Sequence, residues 1–216
     1  MNESTDANKK STLREYVEAI IIAVILALFI RTFIVQAFKI PSGSMEPTLL
    51  IGDHILVNKF TYGIKIPFID YTIIEINKPH QNDVIVFKYP NNPKIDYIKR
   101  VVAVEGDTIE IINKKIFING EPFIDTHGSY LDSTIHPRSF DRRDNIEPLT
   151  VPKGKLFVMG DNRDNSYDSR FWNFVDLKAV RGKAFLIYWS WDVRLPFLSL
   201  GRFSSIKWGR TANSIN

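Results

Sequence analysis

An unbroken apolar run near the N-terminus constrains this 216-residue chain more than any other feature. Residues 19–30 read AIIIAVILALFI, and the stretch from Tyr16 to Gln36 has 21 residues. A bilayer core takes about 20 residues of helix. Glu18 and Arg31 stand near the ends of the stretch, where a long side chain can reach the interface. The count predicts a membrane anchor over 16–36, preceded by a tail over 1–15. A cleaved signal peptide is the rival reading, because it too has a basic start and an apolar stretch of about 7–15 residues. Val35-Gln36-Ala37 even has the small-residue look of a cleavage site. Arg31 interrupts the approach to that site and apolar residues resume beyond it, which favours the anchor. On either reading the remainder of the chain leaves the cytoplasm. Lys9, Lys10 and Arg14 favour a cytoplasmic N-terminus.

Beyond residue 38 no long helical period follows. Instead come short apolar runs at 55–57, 84–87, 95–104, 108–112, 116–118, 156–159 and 184–189. Most are β-branched or aromatic and are bounded by Gly, Pro, Asn or Asp, which is the pattern of strands. Asn113-Lys114 and Asn119-Gly120 have the composition of tight hairpin turns. Residues 121–153 are polar and turn-rich, with Pro122, Pro137, Pro148 and Pro152, and read as a loop-rich lobe between core strands. The expected fold is mainly β, with closed or covered sheets, behind one N-terminal transmembrane helix. The formal charge of +4, from 28 basic and 24 acidic residues, is too small and too dispersed for a nucleic-acid binder. With no Cys, a thiol nucleophile, disulfides and Cys-ligated metals are all excluded.

Three segments could carry chemistry. In PSGSMEPTLL (41–50), two prolines fix the backbone and Gly43 removes a side chain beside Ser44. That suits a serine presented on a tight turn with exposed N–H groups, although such a turn alone is more often only a turn. A serine needs a base. His54, His80, His127 and His136 stand in no recognisable acid–base pattern, and surface histidine is the default for each. Lys99 is the better candidate. Strand alternation in IDYIKRVVAV puts Tyr97, Lys99, Val101 and Ala103 on one face and Ile98, Arg100 and Val102 on the other. Burial among those neighbours would disfavour the ammonium form, and a fall of ~3 pKa units would cost about 4 kcal/mol. A surface lysine on an edge strand is the alternative. In GDNRDNSYDSR (160–170), a calcium loop fails at Arg163, Ser166 and Trp172. A rigid polar network fits better, with Asp161, Asp164 and Asp168 accepting from Arg163 and Arg170 and Ser166 offering a hydroxyl.

Taken in order, the anchor, SGSMEPTL (42–49), GDHILVNK (52–59), DYIKRVVAVEGD (96–107) and GDNRDNSYDSR (160–170) resemble bacterial type I signal peptidase, a membrane-bound Ser/Lys protease family. The closing RFSSIKWGR (202–210) is a weaker match. The resemblance implies Ser44 as nucleophile, Lys99 as its general base, and an oxyanion hole from the Ser44 N–H and the Ser42 hydroxyl. It implies that Ser166 orients the lysine amine, with Asp168, Arg170, Asp161 and Arg163 bracing the site. Phe38, Ile40, Met45, Leu49 and Ile98, with Asp96 and Tyr97, match positions that bind substrate. The implied fold is a coiled β-sheet catalytic core over 37–216 with a smaller cap lobe inserted at about 108–153. The implied partners are signal peptides of exported preproteins, membrane lipid and the secretion translocon; no metal or cofactor is expected. The implied location is the bacterial inner membrane, single-pass, with the catalytic domain outside the cytoplasm. The chain departs from some Gram-negative members, which carry two transmembrane segments, a longer lobe and a disulfide. Two other readings were open on sequence: a self-cleaving Ser/Lys repressor, disfavoured by the apolar span where a DNA-binding domain would stand, and a tethered β scaffold without activity.

Overall fold

The structure is a computed structural model that describes residues 12–65, 72–196 and 199–215. Lys9, Lys10 and the rest of the predicted tail up to residue 11 lie outside the described residues. Helix α1 (Thr12–Phe29) continues into a π-helical turn, Ile30–Ile34, and together they are long and apolar enough to cross a membrane. Its large apolar side chains, such as Ile22, Ile25 and Leu28, stand exposed, which fits a membrane span. Val35 and Gln36, counted above with the apolar stretch, already belong to a strand. The cause is β-branched Val35 turning extended while Lys59 holds the junction: its N–H donates to Ile34 O and its amine to Thr32 O.

The strands are β1 (Val35–Lys39), β2 (Asp53–Asn58), β3 (Gly63–Lys65), β4 (Thr72–Glu75), β5 (Val84–Tyr89), β6 (Asn92–Val104) and β7 (Thr108–Ile112). There follow β8 (Lys115–Ile118), β9 (Glu121–Pro122), β10 (Ile146–Thr150), β11 (Lys155–Met159), β12 (Val175–Asp176), β13 (Val180–Ser190) and β14 (Asn213–Ser214). Two short helices, α2 (Ser169–Trp172) and α3 (Leu200–Ser204), complete the chain. Each apolar run lies within a strand. Asn113, Lys114, Asn119 and Gly120 all have positive φ, as two-residue hairpin turns require.

The main sheet runs β1-β2-β13-β5-β6-β11-β12, antiparallel throughout, with β14 also on β13. A second sheet, β10-β7-β8-β9, stands beside it. Neither sheet is closed, which corrects the expectation of closed sheets. The ladder of β6 explains why: β5 pairs with it from Asn92 to Arg100, but β11 joins only from Arg100 to Val104. Among the described residues, one side of β6 is therefore left unpaired over 92–99, as is the outer side of β1.

Three apolar clusters fill the body. Ile40, Met45, Leu49, Ile55, Val57, Val84, Val86, Ala184 and Ile187 form the first, with Phe38 and Ile98 packed on it. The second lies under the smaller sheet around Ile109, Ile111, Ile116 and Phe157, and the third lies around Ile85, Phe87, Val101, Val158 and Val175. Each fully buried aliphatic side chain stabilises the fold by roughly 1.5–3 kcal/mol relative to exposure. The alternation read for β6 holds from Tyr97 to Val101 and then fails: Ala103 joins Val102 in the second cluster. A bulge causes it, since Phe157 faces Ala103 while the next residue, Val158, faces Val101.

Candidate active site

Ser44 sits on one 3-10 turn, Gly43–Met45, in the loop between β1 and β2. The loop is closed at its base, where Ile40 N–H donates to Asp53 O and Gly52 N–H to Ile40 O. Met45 and Leu49 plug its underside into the first cluster, both fully buried. The turn's backbone is gripped from the other side of the molecule. Asn162 donates its backbone N–H to Ser44 O at 3.1 Å and its side-chain amide to Gly43 O at 3.1 Å. Thr48 Oγ1 donates to Asp161 Oδ2 at 2.5 Å.

This approach of two loops requires glycine at 160. A Cβ there would collide with the Ser44 carbonyl and with Ser166 Oγ. Gly160→Ala is expected to lower kcat about 100-fold, since a displacement near 1 Å at a reacting group costs that much. Steady-state kinetics on folded protein, verified by circular dichroism, tests this; kcat within two-fold of wild type would refute it.

Lys99 reaches Ser44 from β6. Its Nζ lies 2.6 Å from Ser44 Oγ, although 55 residues separate them in sequence. The lysine is only 4% exposed. The Tyr97 ring covers one side of the amine, with its centroid 5.7 Å away. Burial lowers the Lys99 pKa from 10.5 to about 8, and Arg170 adds to the effect while Asp168 and Asp161 oppose it. At pH 7 about one amine in ten is then neutral, against about one in 2,500 for a solvated lysine.

Behind the lysine stands a buried ion pair. Arg170 holds Asp168 with two bonds, Nε to Oδ1 and Nη2 to Oδ2, both 2.9 Å. The guanidinium also donates to Arg163 O at 2.6 Å and Arg143 O at 2.9 Å. Asp168 also accepts from Gly160 N–H and caps α2 through Arg170 N–H. Burial alone would raise the Asp168 pKa, but the Arg170 charge and hydrogen bonds prevail and hold it below the usual carboxylate range.

The structure brings together Ser44, Lys99, Asp168 and Arg170, and it sets Phe38, Ile40, Met45, Leu49 and Ile98 in one apolar cluster beside them. Ser42 is exposed at the start of the turn and makes no capping bond. Several expected partners differ. Ser166 is buried, but its Oγ makes no well-formed hydrogen bond, so the expected bond to the lysine amine is absent. The hydroxyl still contributes to lowering the Asp168 pKa, which places it beside that carboxylate. Asp161 pairs with Arg100 through two 2.8 Å bonds, not with the arginines of its own loop. Arg163 turns away to Asp125 at 2.9 Å, and Asp164 takes Lys114 at 2.7 Å. The pairings differ because distant segments supply the countercharges: Arg100 comes from β6, the strand beside β11, and Lys114 and Asp125 come from loops of the smaller sheet. Asp96 is engaged by Arg181 at 3.3 Å, and Tyr97 stacks on Tyr89 with centroids 4.4 Å apart. The sequence reading missed Thr48, Arg100, Asn162 and Gly160 as site residues; all four lie inside or next to the quoted motifs. A cavity of about 690 Å³ lined by His80, Asn82, Glu105 and Leu177 contains none of the predicted site residues.

A serine hydroxyl poised on a buried amine, on a mainly β scaffold, is the constellation of a serine peptidase. The comparisons name the family. The model of the signal peptidase, peptidase S26, family matches residues 13–189. Signal peptidase I of Pseudomonas aeruginosa is 40% identical over 85% of this chain and 75% of its own length. That of Aquifex aeolicus is 34% identical over 84% of this chain and 86% of its own length. A crystal structure of a signal peptidase I from Enterococcus faecalis, 30% identical, covers 50% of this chain and 98% of that one at a TM-score of 0.40. The chain belongs to the signal peptidase family and is a type I signal peptidase, a serine peptidase that removes signal peptides.

Proposed function

We propose that this peptidase works from the membrane through a Ser44/Lys99 dyad and cuts preproteins after small residues at the first and third positions before the bond. The observation that carries the proposal is the 2.6 Å contact between Ser44 Oγ and the buried Lys99 Nζ. Neutral Lys99 takes the Ser44 proton as Oγ attacks the scissile carbonyl carbon, and a C–O bond forms. The negative oxygen is received by the Ser44 N–H and the Ser42 hydroxyl, for which the described residues offer no competing acceptor. Collapse breaks the C–N bond, and the proton on Lys99 passes to the leaving amine. Water, deprotonated by the same lysine, then attacks the acyl carbon; the C–O bond to Ser44 Oγ breaks, the acid product leaves, and the lysine returns the proton to Oγ.

The two unpaired edges, outer β1 and residues 92–99 of β6, flank Ser44 and suit an extended signal peptide that adds a strand between them. Phe38, Ile40, Met45, Leu49 and Ile98 would floor the side-chain pockets, with Asp96 and Tyr97 at the rim. Because Ile40, Met45 and Leu49 are already buried without substrate, the pockets are shallow and admit Ala but not larger side chains. Ser166, Asp168, Arg170, Asp161 and Arg163 serve as support. The proposed organisation is a cytoplasmic tail over 1–15, an anchor from 16 that ends at 34 where β1 begins, and an extracytoplasmic body with its cap at about 108–153, in the bacterial inner membrane. Lipid and the secretion translocon would be its neighbours there.

The test is cleavage of a model preprotein by detergent-solubilised enzyme, with the new N-terminus of the product sequenced. Cleavage directly after Ala-x-Ala is expected, and replacing the last Ala by Leu should slow it by at least about 100-fold. Cleavage at an unrelated bond, or equal turnover of the Leu substrate, would overturn the pocket assignment.

A further inference from the structure

The C-terminal segment reaches back to the nucleophile loop, and no step described so far uses it. Arg210 lies on a 3-10 turn, Trp208–Arg210, just before β14. Its backbone is fixed on both sides. Lys207 N–H donates to Ser190 O, Ala212 N–H to Ile187 O, and Ile215 is buried in the first cluster. From there the guanidinium crosses to the loop between β1 and β2. Nη2 donates to Asp53 Oδ2 at 2.5 Å and to Thr48 O at 2.9 Å, and Nε donates to Asp53 Oδ1 at 3.2 Å. Asp53 is fully buried and also accepts from Leu50 N–H at 2.8 Å.

We infer that Arg210 is a positioning residue for the serine. Three clamps hold the Ser44 loop. Asn162 grips the backbone at Gly43 and Ser44, and Asp161, itself fixed by Arg100, takes the Thr48 hydroxyl. Arg210 closes the far end by joining the Thr48 carbonyl to the Asp53 carboxylate. A planar guanidinium is required for this, because one group must bond a carboxylate at two oxygens and a carbonyl together; an ammonium offers no such fork. Without the clamp, residues 48–53 can shift, and Ser44 Oγ loses its registration against Lys99. The inference rests on Ser44 as the nucleophile.

The test compares wild type, Ser44→Ala, Arg210→Ala, Arg210→Lys and Asp53→Asn in detergent, with kcat, KM, the pH–rate profile and melting temperature for each. Loss of cleavage in Ser44→Ala secures the underlying reading independently of Arg210. For Arg210→Ala, kcat per folded molecule should fall about 10- to 100-fold. KM should stay within two-fold, and the pH midpoint should not move, because Lys99 is untouched. Arg210→Lys should restore only part of kcat. A purely structural residue would lower the melting temperature and leave kcat of the folded enzyme intact; that result would overturn the inference. Should Arg210→Ala fail to fold, Arg210→Lys and Asp53→Asn decide: wild-type kcat in both would refute the clamp, and a reduced kcat with unchanged KM would support it.

Discussion

Lys99→Met is expected to lower cleavage by about 10⁴-fold or more, as loss of the proton-accepting partner does in other serine peptidases, while the protein folds as well as wild type or better. Both halves of the expectation come from the same burial. The amine is 4% exposed and its pKa is about 8, so below that pH the fold carries a desolvated positive charge. The unfolded chain, with a lysine pKa of 10.5, binds the proton more tightly. Stability from this site therefore rises as pH climbs from about 8 to 10.5 and is absent below about 8, a difference of about 3 kcal/mol. Methionine fills similar volume without the charge, so the melting temperature at neutral pH should be unchanged or higher. In the wild type, kcat/KM should rise with pH to a midpoint near 8 as Lys99 deprotonates. Substantial turnover by Lys99→Met, or a pH–rate profile flat from 6 to 9, would remove lysine from the mechanism.

The largest stability loss is expected at Asp168. Asp168→Ala leaves the Arg170 guanidinium, 2% exposed, with carbonyl acceptors but no countercharge. It also strips the acceptor from Gly160 N–H and the cap from α2. Breaking one side of a buried pair costs about 3–5 kcal/mol, a large share of the 5–15 kcal/mol that holds a domain together. A shift in the urea midpoint measures it, and a loss below about 1 kcal/mol would show that the pair is not what holds this loop. The milder Asp168→Asn should also move the pH–rate midpoint downward, because the Asp168 charge raises the Lys99 pKa and its removal takes that support away.

The sequence made some layers of this molecule legible and hid others for physical reasons. Strands announce themselves through β-branched and aromatic runs, and the Asn113-Lys114 turn through a composition that suits its two positive-φ positions. Ser44 and Lys99 could be nominated because each needs a special local setting, a tight turn for one and an apolar strand face for the other. What stayed hidden was which charge meets which. Asp161 lies two residues from Arg163 but binds Arg100, 61 residues away, and Lys114 reaches Asp164 across 50 residues. Periodicity carries no information on such pairs, since the first depends on β6 lying beside β11 and the second on where the smaller sheet's loops meet the loop after β11. The bulge at Val102 was hidden for the same reason: it is a property of the ladder with β11, not of β6 alone.

The junction between the apolar helix and the body bears on the choice of substrate. The apolar helix passes through its π turn directly into β1, with no residue between, and Lys59 ties that joint to the body. With the helix in a bilayer, the height of Ser44 above the lipid is set by covalent geometry, like the fixed jaw of a caliper. On the proposed specificity, two gauges would then act in series on an exported chain. One would read side-chain size at the bond; the other would read how far beyond its apolar segment a preprotein presents that bond. An Ala-x-Ala sequence deep inside a folded, released domain would satisfy the first gauge and fail the second, which would spare mature proteins.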